Sequence, residues 1–243
     1  PICLAHARLQ VRNMNYTIKT AHLSFGSRTV LDLLPPILNH DLSMVFQPIH
    51  TRMGKLFGHE LLLRFKDYET PTPLLRIVHQ LQLRAELDFQ VCQLAIQHSA
   101  RKSDIGCWIM NLSADSLFRE EILSAVQELA RQLSPSRLIL HLLDLELSHD
   151  KPKLLHALQL MEKSQIGLTM DTDEIDQPCC QALSCELLRM NIHREEEANW
   201  NRWCHEAQRR DIPLLAYWVE NDAQRVSVLR HPIDLLQGHG IHG

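Results

Sequence analysis

Apolar and polar positions along the chain fall into two periods. Ser43 to Ile49 and Leu56 to Phe65 are apolar runs on either side of Arg52-Met53-Gly54-Lys55. A Gly-containing connection this short predicts an antiparallel hairpin. Beyond it, short apolar runs alternate with helical spacing. Leu87, Val91, Leu94 and Ala95 share one helix face. Cys107 to Leu112 reads as a strand, with Ser113 or Asp115 placed to cap a helix whose stripe is Phe118, Ile122, Val126, Leu129 and Leu133. Strand Arg137 to Leu143 and helix Pro152 to Lys163 follow. Ile166 to Met170, Glu186 to Ile192, Ile212 to Val219 and Ile233 to Leu236 complete the strands. Pro213 is tolerable at a strand start. Helices are expected near Glu195 to Arg209 and Asp222 to Arg230. Before the hairpin, Val30 to Asn39 reads as a short helix starting near Pro35 and Pro36, and residues 1–26 as an extension of weak periodicity.

These are eight strands, nearly all joined by helices and rich enough in Val, Ile and Leu to be buried on both faces. A (β/α) barrel and an open doubly wound sheet both fit. Strand count, length and the initial hairpin favour an α/β fold of the modified TIM-like (β/α)8 type with an antiparallel first strand. The expected organisation is an extension or linker over 1–27 and one barrel over 28–243.

Composition narrows the function. The 243 residues carry a net charge of −4, so no global basic charge drives nucleic-acid binding. No apolar run reaches the ~20 residues of a membrane-spanning helix, and no signal-peptide pattern opens the chain. Pro1 is not an initiator Met, which reads as a fragment or a processed chain. Seven irregularly spaced cysteines read as reduced thiols and a cytoplasmic location. Only 8 glycines are present, and neither GxGxxG nor GxxxxGK[ST] occurs, which argues against Rossmann and P-loop sites. Cys179, Cys180 and Cys185 with His193 lack structural-zinc spacing. His239 and His242 read as loop residues. Arg194 to Glu197 reads as a solvated helix start. Trp200 and Trp203 share a helix face, which means core packing or, if exposed, a partner surface.

In a barrel, functional groups gather at the C-terminal strand ends. Those positions hold Glu60, Arg64, Asn111, His141, Asp144, Asp171, Arg189, Asn191, Tyr217, Glu220 and Gln237. Any strand end is polar, but the whole set implies a shared cleft.

The segment FQPIHTRMGKLFGHELLLRF, Phe46 to Phe65, resembles the opening of the EAL domain family of cyclic di-GMP phosphodiesterases, with its (Y/F)QPI strand and EALLRW motif. Further matches follow in order. Asn111-Leu112-Ser113 resembles NLS, and Leu140 to Asp144 stands at LEITE. Leu188 to Asn191 stands at LKID, Ala216 to Glu220 at AEGVE, and Gln237-Gly238 matches QG. The resemblance implies a barrel with an antiparallel first strand. It also implies a site where two Mg2+ or Mn2+ ions activate water, held by oxygen ligands.

Glu60 and Asn111 keep two of those ligand positions. His141 replaces a Glu. The Asp-Asp pair falls on Asp171-Thr172 in one register and on Thr169-Met170 in another. Arg189 replaces the Lys that assists water activation, and Tyr217 replaces the Glu of AEGVE. Asp173 to Gln177 replaces the DFGTG loop. The resemblance therefore implies no catalytic residues, Mg2+ or Mn2+ binding lost or weak, and a non-catalytic signalling domain that engages a regulatory protein partner. A second reading is a cyclic di-GMP receptor without hydrolysis, using Gln47, Glu60, Leu63, Arg64, Asn111, Asp171 and Gln237. A working phosphodiesterase is a distant third. Arg64 either pairs with phosphate or bridges to Asp67 or Glu60. Tyr217 and Trp218 either stack on guanine or fill the pocket, with the balance towards filling for Trp218. A homodimer is compatible with these readings.

Overall fold

The computed structural model describes residues 6–11, 14–19, 24–25, 28–29, 42–65, 72–80, 82–100, 106–145, 148, 150–174 and 184–241. The expected helix Val30 to Asn39 lies outside them.

Eight strands close into a barrel in the order β10-β11-β12-β5-β6-β7-β8-β9. They are β5 (Leu42–Thr51), β6 (Leu56–Phe65), β7 (Cys107–Ser113), β8 (Arg137–Leu143), β9 (Gly167–Asp171), β10 (Leu187–Asn191), β11 (Leu214–Tyr217) and β12 (Leu235–Gln237). β5 runs antiparallel to both β6 and β12, and the other pairings are parallel. The fold is the barrel with a reversed first strand, and the open-sheet alternative is excluded by closure.

The hairpin turns where expected. Gly54 takes φ +78°, which a side chain resists, and its N–H donates to Thr51 O at 2.8 Å. The Arg52 guanidinium donates to the backbone carbonyls of Leu229, His231 and Ile233, tying the turn to the far end of the chain.

Between strands lie α1 (Thr72–Gln80), α2 (Arg84–Ser99), α3 (Glu120–Leu133), α4 (Lys151–Lys163), α5 (Glu197–Arg210) and α6 (Asp222–Leu229). The sequence reading missed α1. It also expected Ser113 or Asp115 to cap the helix after β7. Instead a 3-10 turn, Ala114–Phe118, intervenes and α3 starts at Glu120 without a side-chain cap. Buried Asp88 organises this connection, accepting from Ser113 N at 2.9 Å and Ser116 Oγ at 2.6 Å. Pro213 falls just outside β11.

Two small antiparallel sheets, separate from the barrel sheet, pair β1 (His6–Val11) with β2 (Met14–Lys19) and β3 (Ser24–Phe25) with β4 (Arg28–Thr29). The period-2 alternation of Ala7, Leu9 and Val11 and of Met14, Tyr16 and Ile18 was the available signal.

Alternation along each barrel strand separates an outer face, packed against the helices, from the interior. The outer core includes Met44, Leu61, Trp108 and Met110 on one side and Trp200, Trp203 and Ala216 on the other. The two tryptophans on α5 are thus core residues, each 5% exposed. The interior has an apolar floor of Ile49, Ile109, Ile139, Leu187, Leu215 and Leu235. One pleat nearer the C-terminal strand ends, the interior turns polar. Cys92, Cys107, Cys185 and Cys204 are free thiols. No helix among the described residues is long and apolar enough to cross a membrane.

Candidate functional site

Parallel register sets the polar layer. Asn111 is level with His141, Arg189 with Asp171, and Tyr217 with Gln237, while Gln47 faces Glu60 across the hairpin. Each lies on the interior face of its strand, so closure forces their side chains together.

Arg189 is at the centre, 4% exposed. Its Nη1 lies 3.2 Å from Glu60 Oε1 and its Nε 3.3 Å from Asp171 Oδ1. The guanidinium carbon sits 4.7 Å from the centroid of the Tyr217 ring, a cation–π geometry. Glu60 accepts from Asn111 Nδ2 at 3.0 Å on one oxygen and from Gln237 Nε2 at 2.6 Å on the other. Gln237 Nε2 also donates to Gln47 Oε1 at 3.1 Å. Because the Asn111 amide nitrogen faces Glu60, its oxygen accepts from His141 Nδ1–H at 2.8 Å. Tyr217 OH donates to Asp171 Oδ2 at 3.0 Å.

Burial alone would raise the Glu60 carboxyl. The charge of Arg189, the hydrogen bonds from Asn111 and Gln237, and His141 outweigh burial and hold it below the ordinary carboxylate value. Burial opposes the charge on Arg189, but Glu60 and Asp171 hold it more firmly protonated than a free arginine. Burial, with Asp171 beside it, pushes the Tyr217 phenol up. The layer therefore offers no base near neutrality in Arg189 or Tyr217.

Not every expected residue joins the layer. Leu63 lies on the opposite face of β6 and packs with the helix-side core; Leu62 is the residue that shares the face of Glu60. Arg64 donates to Leu63 O at 3.0 Å, and Glu60 is committed to Asn111, Arg189 and Gln237, so the bridge from Arg64 to Glu60 does not form. Asp67 lies outside the described residues. Asp171 ends β9 in the layer, while Thr169 lies one pleat deeper and donates to Leu187 O at 2.7 Å. Thr172 turns away and donates to Glu195 Oε1 at 2.9 Å.

Above the layer opens a cleft of about 600 Å³, lined by Asn111, His141, Asp171, Arg189 and Tyr217 together with Arg84, Asp144, Asp173, Glu174, Asn191, Arg194 and Trp218. That volume suits a small ligand. Trp218 does not fill it. The side chain is 56% exposed at the rim, edge-on to His193, and its backbone takes φ +68°. Sequence reading also missed Arg84 and the inward role of Glu174. Glu174 Oε2 accepts from Asp171 N at 3.1 Å and lies 3.8 Å from His141 Nε2. Its spacing of three residues from Asp171, which suits a turn closed by the side chain, was the available signal.

A pair of Mg2+ or Mn2+ ions does not fit this layer. Such ions want several oxygens in near-octahedral array. Both oxygens of Glu60, the oxygen of Asn111 and Oδ2 of Asp171 are already committed, and a guanidinium stands between the two acids. Among the described residues, Asp171 Oδ1 and His141 Nε2 are the atoms of the layer's acid–histidine set without a hydrogen-bond partner.

The fold has close counterparts among solved structures. A PaMucR phosphodiesterase in complex with cyclic di-GMP superposes with TM-score 0.69 at 21% identity, covering 84% of this chain and 96% of that one. The FimX EAL domain of Xanthomonas citri, also in complex with cyclic di-GMP, gives 0.70 at 15% identity, covering 86% and 90%. The S helix-GGDEF-EAL portion of LapD from Vibrio cholerae gives 0.73 at 14% identity, covering 92% and 59%. No curated protein sequence matches significantly. The sequence profile described as "EAL domain" matches residues 31–242, most of the chain, and the protein belongs to the EAL domain family.

Proposed function

We propose that this chain is a non-catalytic EAL domain that works in cyclic di-GMP signalling as a regulatory protein-interaction module. The observation that carries the reading is the Arg189 guanidinium, buried between Glu60 and Asp171 in a layer where both Glu60 oxygens, the Asn111 oxygen and Asp171 Oδ2 are already hydrogen-bonded. A guanidinium neither releases a proton to act as a base nor accommodates a cation against itself. The exposed Trp218 at the cleft rim supports a partner surface, since tryptophan is enriched among binding hot spots.

A second reading, a receptor that binds cyclic di-GMP without cutting it, is favoured by the open cleft, whose lining combines Trp218 and Tyr217 with Arg84 and Arg194. Aromatic faces stack bases and guanidinium groups pair with phosphate. The PaMucR and Xanthomonas citri FimX structures hold cyclic di-GMP.

Calorimetric titration with cyclic di-GMP, with and without Mn2+, separates these readings when product formation is followed in the same samples. The interaction module gives no heat at high micromolar ligand and no linear dinucleotide. The receptor gives saturable heat independent of metal. Metal-dependent cleavage would refute both.

A further inference from the structure

We propose that the Arg189 guanidinium is a built-in cation. It holds Glu60 and Asp171 in place as a bound metal ion would, so the layer is organised without metal, and its removal converts the layer into a metal-binding site. The inference rests on the reading of the cleft as non-catalytic but is tested by different observations.

Glu60 is on β6 and Asp171 on β9, three strands round the barrel, so the two acids are not neighbours in the sheet. Arg189 spans that gap through two different nitrogens. Without a countercharge, two carboxylates in this interior would be costly. A planar guanidinium satisfies both at once, as the point charge of a lysine cannot.

The surrounding groups fix the direction of every lone pair. Asn111 Nδ2 and Gln237 Nε2 donate to Glu60, and Tyr217 OH donates to Asp171. With Nδ1–H given to Asn111, Nε2 is the ring nitrogen of His141 left for another partner. That nitrogen and Asp171 Oδ1, both buried and without a hydrogen-bond partner among the described residues, stand 3.8 Å apart. Arg189 Nη1 is 3.2 Å from Glu60 Oε1 and 3.1 Å from His141 Nδ1. The space it would vacate is therefore bordered by one oxygen each of Glu60 and Asp171, hard anionic donors that suit Mn2+, with the Nε2 of His141 beside Asp171 Oδ1.

The test uses the full 243-residue chain, thermal melting in EDTA and in millimolar Mn2+, and Mn2+ titration followed by electron paramagnetic resonance. The wild type should melt at the same temperature in both and show no saturable Mn2+ binding. Arg189→Met should melt roughly 10 °C lower in EDTA, the size expected for stripping one partner from a buried ion pair. It should bind one equivalent of Mn2+ and recover most of that loss, and adding Asp171→Asn should abolish the binding. If Arg189→Met fails to fold, the triple variant with Glu60→Gln and Asp171→Asn, which removes all three charges, should fold again. Saturable Mn2+ binding by the wild type, an Arg189→Met protein as stable as wild type in EDTA, a folded Arg189→Met protein blind to Mn2+, or a triple variant that stays unfolded each overturns the proposal. Cleavage of cyclic di-GMP by the wild type would overturn the non-catalytic reading, whereas Mn2+ binding without cleavage overturns only the role of Arg189.

Discussion

Replacing Gln237 with methionine tests whether the polar layer is held together by its hydrogen bonds. Gln237 is 2% exposed and its amide nitrogen serves Glu60 Oε2 at 2.6 Å and Gln47 Oε1 at 3.1 Å. A hydrogen bond to a charged acceptor contributes about 1.5–3 kcal/mol. Gln47 is only half-buried, so water replaces the second bond at little cost. Against the loss stands one gain. Gln237 Oε1 is buried with no hydrogen-bond partner among the described residues, and methionine removes that unsatisfied atom, returning about 1 kcal/mol. The net expectation is about 1–2 kcal/mol of destabilisation, or a fall of roughly 2–8 °C in Tm for a chain of this size. Urea denaturation at pH 7 measures it. The origin is checked by a double-mutant cycle with Glu60→Gln, which should show coupling of about 1 kcal/mol because the two side chains share the lost bond. A Gln237→Met protein within 0.3 kcal/mol of wild type, or additive single variants, would refute the account.

The remaining expectations concern pH, a backbone position and a buried acid. Glu60 and Glu174 are both held below the ordinary carboxylate value, so between that value and their folded values the native state binds fewer protons than the unfolded chain. Their contribution is present above pH ~4.3 and is lost as pH falls through the folded values. Unfolding free energies taken from pH 7 down to pH 3 should fall less steeply for Glu60→Gln than for wild type, and parallel slopes would refute this. Gly238→Ala should cost about 3 kcal/mol or more by urea denaturation, since the residue sits at φ +151° and an added Cβ would meet the Val219 carbonyl oxygen at 2.1 Å. Asp88→Ala strips acceptors from Ser113 N and Ser116 Oγ in a buried site and should cost about 2–4 kcal/mol. Asp88→Asn, which keeps an acceptor, should recover part of this loss in the same measurement.

The barrel was legible because its signals are local. Apolar runs of strand length, a Gly-containing turn and helical spacing are each written within a dozen residues, and the strands Cys107–Ser113 and Arg137–Leu143 fall almost where the pattern puts them. Most of the polar layer was legible as a set for the same reason, since its members are polar residues in or at the end of apolar runs. What could not be read was pairing. Arg189 is one residue of β10, yet its charge is shared between the neighbouring β9 and the distant β6, and only barrel closure brings β6 to it. Leu63 was misplaced because consecutive residues of a strand face opposite ways, and EALLRW does not say which leucine faces inward. Asp88 was missed because its partners sit 25 and 28 residues away.

Trp218 shows why a substitution at a motif position does not reveal where the new side chain goes. The family pattern has glycine there, and bulk suggested a filled cleft. The chain keeps the left-handed turn that suits glycine, with φ +68°, at a cost of about 1–2 kcal/mol for a residue with a Cβ. The reason lies one residue on. Val219 N donates to Gln237 O at 3.0 Å, and Val219 O accepts from Gly240 N at 2.9 Å, so the strand end of β11 is locked to the end of β12. Unwinding the turn to seat the indole in the cleft would break both bonds and displace Gln237 from Glu60. The backbone therefore keeps its shape, and the indole is carried outward to the rim, where an incoming ligand or partner meets it first.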